Sequence, residues 1–136
     1  MAVSRRPSLS REQKRDLDIE IGFLAGLTRR DPGYVEALQI LGDDYTKRGR
    51  FEEGLAVDER LAQLRPDDPL AHYNLACSHA LTDHHEAAFH ELNQALDKGY
   101  REFRWLAKDP DLAGFREHSL YRKLRARIRA LGVKSG

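Results

Sequence analysis

Most of the devices that hold small folds together are scarce in this sequence. Its single cysteine, Cys77, excludes an internal disulfide among the 136 residues. No Cys/His spacing resembles a zinc finger, so the fold is held by packing and suits a reducing compartment. Long apolar runs are missing too: the longest, residues 21–27, is far too short to span a bilayer. The basic opening of residues 1–7 has no apolar stretch behind it, so nothing here reads as a secretory signal and the expected location is the cytoplasm. Alternating strand patterns are sparse, and prolines and glycines punctuate helical patterns instead of bounding strands. Formal net charge is only +1. It is unevenly laid out, with a basic excess over residues 1–30 and 111–136 and an acidic one between, a dipolar layout that steers charged partners.

What is present is a period of thirty-four. Shifting the chain by that length places Leu27 on Leu61, Pro32 on Pro66, Ala37 on Ala71, Leu41 on Leu75 and Glu52 on Glu86. Small residues also meet small residues, Gly42 on Ala76 and Gly54 on Ala88, where helix backbones must come close. Such a period means stacked helical hairpins, each unable to bury its apolar face alone.

Residues 35–68 read as helix, turn, helix: Leu38, Leu41 and Tyr45 recur at helical spacing, Gly49 interrupts, and Gly54, Val57, Leu61 and Leu64 resume the pattern before Pro66. In residues 69–102 Pro69 starts a helix after Asp68, and Asp83 with Glu86 forms the expected capping box of the next, whose stripe is Phe89, Leu92 and Leu96. Residues 10–34 hold one helix, begun by Ser10 and Gln13, and match only the second half of a repeat. Residues 103–131 close the domain, with Trp105, Leu106 and Leu112 covering the last hairpin. A final amphipathic helix through Leu120, Leu124, Ile128 and Leu131 ends near Gly132. Residues 1–9 and 132–136 are expected to be tails.

Leu41-Gly42-Asp43-Asp44-Tyr45, then Gly49-Arg50-Phe51, Gly54 and Pro66 resemble the tetratricopeptide signature, and residues 99–112 are similar to the closing segment of many bacterial proteins with such repeats. The resemblance implies an all-α fold: a short right-handed superhelical solenoid of stacked hairpins with a C-terminal cap. Leu38 and His72 stand where the family favours tryptophan, and Asp58 where it favours a large apolar side chain.

In this family the first helices of successive repeats line a concave groove that receives a peptide or helix of another protein. By register the groove residues are Glu36, Gln39, Ile40, Asp43 and Lys47, then Tyr73, Asn74 and Cys77, and finally Arg104 and Lys108. Asn74 both donates to and accepts from a peptide backbone, and Arg104 and Lys108 offer charge-assisted bonds to a carboxylate. That trio has the spacing of chaperone-binding relatives, which grip a terminal carboxylate. Gln39 stands where they carry a lysine, and Asp43, in place of an asparagine, repels a bound carboxylate.

Five of the six histidines, with Cys77, lie between residues 72 and 90. His72 and His79 are two turns apart, about 10 Å along a helix, and with His85 they fall in packing slots, so no metal is expected. Glu86 and His90, one turn apart, make only a weak pair. No nucleophile with a base, paired acid and base, or phosphate-cradling glycine loop occurs at recognisable spacing, so neither catalysis nor a cofactor is expected. The basic run Arg122, Lys123, Arg125, Arg127, Arg129 and Lys134 interleaves with an apolar stripe and lacks stacking aromatics, which favours a solvated face over a nucleic-acid site. The sequence thus points to a protein-binding adaptor, with homo-oligomerisation through the unpaired leading helix, or anion binding by the basic terminal helix, as alternatives.

Overall fold

The computed structural model describes residues 8–135, with side chains to residue 132. All regular structure among these residues is helical. Helix α1 (Arg11–Arg30) opens with the expected capping box: the Ser10 hydroxyl accepts from the Gln13 backbone N–H at 3.0 Å, and Gln13 Oε1 accepts from Ser10 N–H at 2.8 Å. Its buried face, Ile21 and Leu24, packs on α2 (Val35–Lys47).

Gly49, at φ 81°, turns the chain from α2 into α3 (Phe51–Leu64), a backbone conformation that a side chain resists. Helix α4 (Pro69–Leu81) starts as its sequence predicts, with Asp68 Oδ1 accepting from Leu70 N–H and Pro69 in the first turn. The start of α5 (His85–Asp97) corrects the expected capping box. His84 is its N-cap without a side-chain bond, and Asp83 sits at φ 63° as the turning residue. Asp83 therefore fills, in the thirty-four register, the place of Gly49.

The helices pack with their chain neighbours, α2 on α3, α3 on α4 and α4 on α5. Beyond α5 come α6 (Phe103–Leu106), a 3₁₀ turn (Pro110–Leu112), α7 (Ala113–Arg116) and α8 (Leu120–Ser135), which returns onto α5. The terminal helix thus continues past Gly132, because no αL residue or proline stops it, and the expected tail over residues 132–135 is helical. All of the expected 1–9 tail except its last two residues lies outside the described region.

Most buried apolar side chains divide into two clusters. One joins α1, α2 and α3 through residues such as Leu24, Leu38, Leu41 and Leu61. The other joins α4, α5 and the closing segment through Leu92, Leu96, Leu106, Leu112, Phe115 and Leu124, all 2% exposed or less. Each such side chain removed from water contributes about 2 kcal/mol. Trp105 is the exception to the expected cap: it is 46% exposed, and Phe115 and Leu124 seal the last hairpin instead.

The seam between the clusters, where α3 meets α4, is bridged by a polar pair. Asp58 and Ser78 are both buried, and the Ser78 hydroxyl donates to Asp58 Oδ2 at 2.5 Å. Close approach at this seam and within the first hairpin depends on Gly42, since a Cβ there would lie 3.1 Å from Asp58 Oδ1 and 3.3 Å from Val57 Cγ1.

Candidate peptide-binding pocket

A cavity of about 360 Å³ opens beside this seam, between α2, α4 and the segment that joins α6 to the 3₁₀ turn. Of the ten groove residues expected from the register, Gln39, Asp43, Tyr73, Asn74 and Cys77 line it. Lys47, Arg104 and Lys108 do not. Lys47 Nζ is turned to Asp43 Oδ2 at 3.0 Å, and Arg104 and Lys108 are exposed on either side of Trp105, outside the lining. Glu36 borders a second depression, with Val35, Leu64 and Pro66, while Ile40 is half exposed.

The five lining residues differ in what they present. Gln39, Asp43 and Asn74 are exposed on the outer turns of α2 and α4, and of the three Asp43 is paired with Lys47. Tyr73 and Cys77 are buried to 4% and 5% exposure and form part of the wall. The Tyr73 ring stacks on Tyr100 with centroids 4.4 Å apart, and its hydroxyl donates to Asp109 Oδ2 at 2.7 Å. Cys77 Sγ also points to Asp109 Oδ2, at 3.7 Å. Burial pushes both the phenol and the thiol well above their usual range, so Cys77 is a thiol and no nucleophile. Tyr73, expected in the groove, is therefore engaged inside the fold through its ring and its hydroxyl.

Several pocket residues lie outside the register-based set. Asp109 caps the 3₁₀ turn through Oδ1, which accepts from Asp111 N–H at 3.0 Å, and it brings Asp111 and Pro110 to the pocket. Trp105 stands at the rim. Asp58 reaches the pocket from α3, 8% exposed, with Ser78 on one oxygen only. Burial raises its carboxyl to about 7, the Ser78 bond opposing and Asp43 adding to the shift. A sequence signal for two of these exists: Asp58 is the acid in an apolar slot, and Asp43, Cys77 and Asp111 are successive positions of the thirty-four register.

Four aspartates thus line the pocket, and among the described residues no lysine or arginine does. The possible ligand atoms of Cys77, Asp109 and Asp111 lie within 4.8 Å of one another, the one grouping among the described residues with metal-ligand geometry. Its thiol is held protonated by burial, and Asp109 already accepts from Tyr73 and Asp111. None of the histidines joins it. His72 is tied into the fold, Nδ1 to Glu91 Oε1 at 2.8 Å and Nε2 to the Pro66 carbonyl at 2.7 Å. His85 packs against His118 and Phe115.

Comparison with known proteins gives partial likenesses. No family model matches the chain. It is 32% identical over 79 residues to a chloroplastic protein of Arabidopsis thaliana, covering 56% of this chain and 24% of that protein. It is 28% identical over 101 residues to the PEX5-related protein of Mus musculus, covering 74% of this chain and 18% of that protein. The chain spans less than a quarter of the length of these curated relatives. No described helix is long and apolar enough to cross a membrane. The all-helical hairpin architecture and the likeness to the PEX5-related protein are compatible with the tetratricopeptide resemblance.

Proposed function

We propose that this chain is a non-enzymatic protein-interaction module: a short right-handed solenoid of tetratricopeptide type whose concave pocket holds an extended segment of another protein. The carrying observation is the pocket itself, where side chains from two successive first helices and the cap surround one space of about 360 Å³. Exposed amides at Gln39 and Asn74 supply donors and acceptors for a peptide backbone, and half-exposed Trp105 supplies an aromatic face at the rim. The lining acids argue against the acidic guest that Arg104 and Lys108 suggest in the sequence, since a carboxylate placed among aspartates is repelled.

The test uses Asn74→Ala and Trp105→Ala, both at exposed positions whose loss leaves the core intact. Each should lower recovery of the native partner from extracts of the source cell severalfold while thermal unfolding stays unchanged. Undiminished recovery with both variants rejects the pocket as the binding surface.

A second reading has its own observation. Ile19 and Phe23, one turn apart on α1, are 66% and 67% exposed, an apolar strip with no hairpin partner among the described residues. It supports self-association of two copies through α1, alongside the pocket and not in place of it.

A further inference from the structure

The pocket also defines the chemistry of its guest. Resting on the reading above, we infer that the segment held there is basic, and that a lysine or arginine side chain enters the space between Asp43, Asp58, Asp111 and Trp105.

The argument starts from Asp58. A carboxylate that is 8% exposed normally meets a cation or several donors, because burying it unpaired is costly. Here the Ser78 hydroxyl satisfies Oδ2, and no described side chain or backbone group donates to Oδ1. Among the described residues no cation favours its ionised form, and the charge acting on it is another acid, Asp43. The residue occupies the slot where the repeat pattern favours a large apolar side chain, so packing alone does not account for it. Asp58 lines the cavity together with Gly42, which its Oδ1 faces, and a guest ammonium or guanidinium reaching that oxygen would supply the missing partner.

The rest of the lining agrees. Asp43 is exposed on α2 and pairs there with Lys47, both side chains more than half exposed, a surface ion pair that a guest cation can exchange at little cost. Asp109 and Asp111 belong to the opposite wall, and among the described residues no lysine or arginine belongs to the lining. Trp105, nearly half exposed at the rim, is the aromatic side chain whose face best attracts a cation. A bare divalent ion fits less well: Asp109 is engaged with Tyr73 and Asp111, the Cys77 thiol is protonated, and the cavity is far larger than one ion needs.

Trp105 is the only tryptophan in the chain, so its emission reports directly on the pocket. The probes are terminally blocked heptapeptides carrying three lysines, three arginines, three glutamates or three serines on a glycine background, and Zn²⁺ alone. The basic peptides should shift the emission saturably, and the glutamate and serine peptides should not. Asp58→Asn, which keeps an acceptor for Ser78, and Asp43→Asn, at an exposed site, should each weaken the basic peptides by about tenfold. Asp16→Asn on α1 should leave them unchanged. Melting curves establish that each variant is folded.

Equal affinity for serine or glutamate peptides overturns the inference while leaving the pocket as a binding site. So does unaltered affinity in both Asp58→Asn and Asp43→Asn, or a response to Zn²⁺ without one to the basic peptides. Silence of Trp105 toward every peptide, together with full partner recovery by Asn74→Ala and Trp105→Ala, overturns the pocket reading as well.

Discussion

Two buried aspartates carry most of the electrostatic tension of this fold. Asp44, 3% exposed in the α1–α2 contact, has an oxygen without a donor, and burial followed by neighbouring Glu20 pushes its carboxyl upward. Asp58 is held at about 7 by burial. The sign of the consequence follows from linkage. Between the ordinary aspartate range near 4 and about 7, folded Asp58 keeps a proton that the unfolded chain has released, so stability falls as pH rises through that window. The penalty is complete above pH 7 and absent below pH 4. Asp58→Asn should therefore stabilise the protein at pH 8 by on the order of 2 kcal/mol and change it little at pH 4.5. Urea unfolding at both values checks this, and parallel shifts at the two pH values would contradict it. The same substitution should weaken a basic guest, a trade of stability against binding at one residue.

At the scale of elements, the hairpin turns explain why the repeat is regular in packing yet irregular in sequence. Gly49 and Asp83 occupy equivalent turning positions at φ 81° and 63°, and only glycine takes that conformation without strain. The Asp83 side chain is 92% exposed and meets His85 only at 3.8 Å, so little holds it in compensation. Asp83→Gly should raise stability by about 0.5–1 kcal/mol, seen as a higher urea midpoint with an unchanged slope. A fall in the midpoint would mean that the aspartate makes a contact worth more than its backbone strain. The helix starts, by contrast, are legible one by one. Ser10 with Gln13 and Asp68 with Pro69 are complete within a few residues, and each forms as its spacing predicts. The α5 start misleads because Asp83 and Glu86 satisfy the capping pattern while the chain needs a left-handed residue at Asp83 to close the turn.

The whole molecule is an asymmetric stack. Its C-terminal cluster is closed by Phe115, Leu112 and Leu124, all 0% exposed, whereas α1 covers α2 on one side and leaves Ile19 and Phe23 in water on the other. In the thirty-four register Phe23 corresponds to Val57, which is buried against α2, so the exposed strip is where a hairpin partner would sit. Glu20 takes the place of Gly54 and Ala88, the small residues that admit such a partner closely. Any self-association through α1 is accordingly expected to be weak. Sedimentation should show a concentration-dependent dimer that Phe23→Glu abolishes without lowering the melting temperature, and a strict monomer at high concentration would remove this contact.

The spacing of apolar side chains, the caps and the small residues determined helices, hairpins and their order, because those signals act within a turn or between neighbours one repeat apart. From the same register the rim of the pocket, Gln39, Asp43 and Asn74, could be read. The charge of its interior could not. Asp58 comes from a second helix that the groove pattern ignores, Asp109 and Asp111 from the cap and first turn of a 3₁₀ helix whose fold the repeat does not foretell, and Tyr73 and Cys77 face Asp109 in the wall. Only packing of α3, α4 and the closing segment brings these carboxylates to one space, and their joint field depends on distances and burial that no linear pattern encodes.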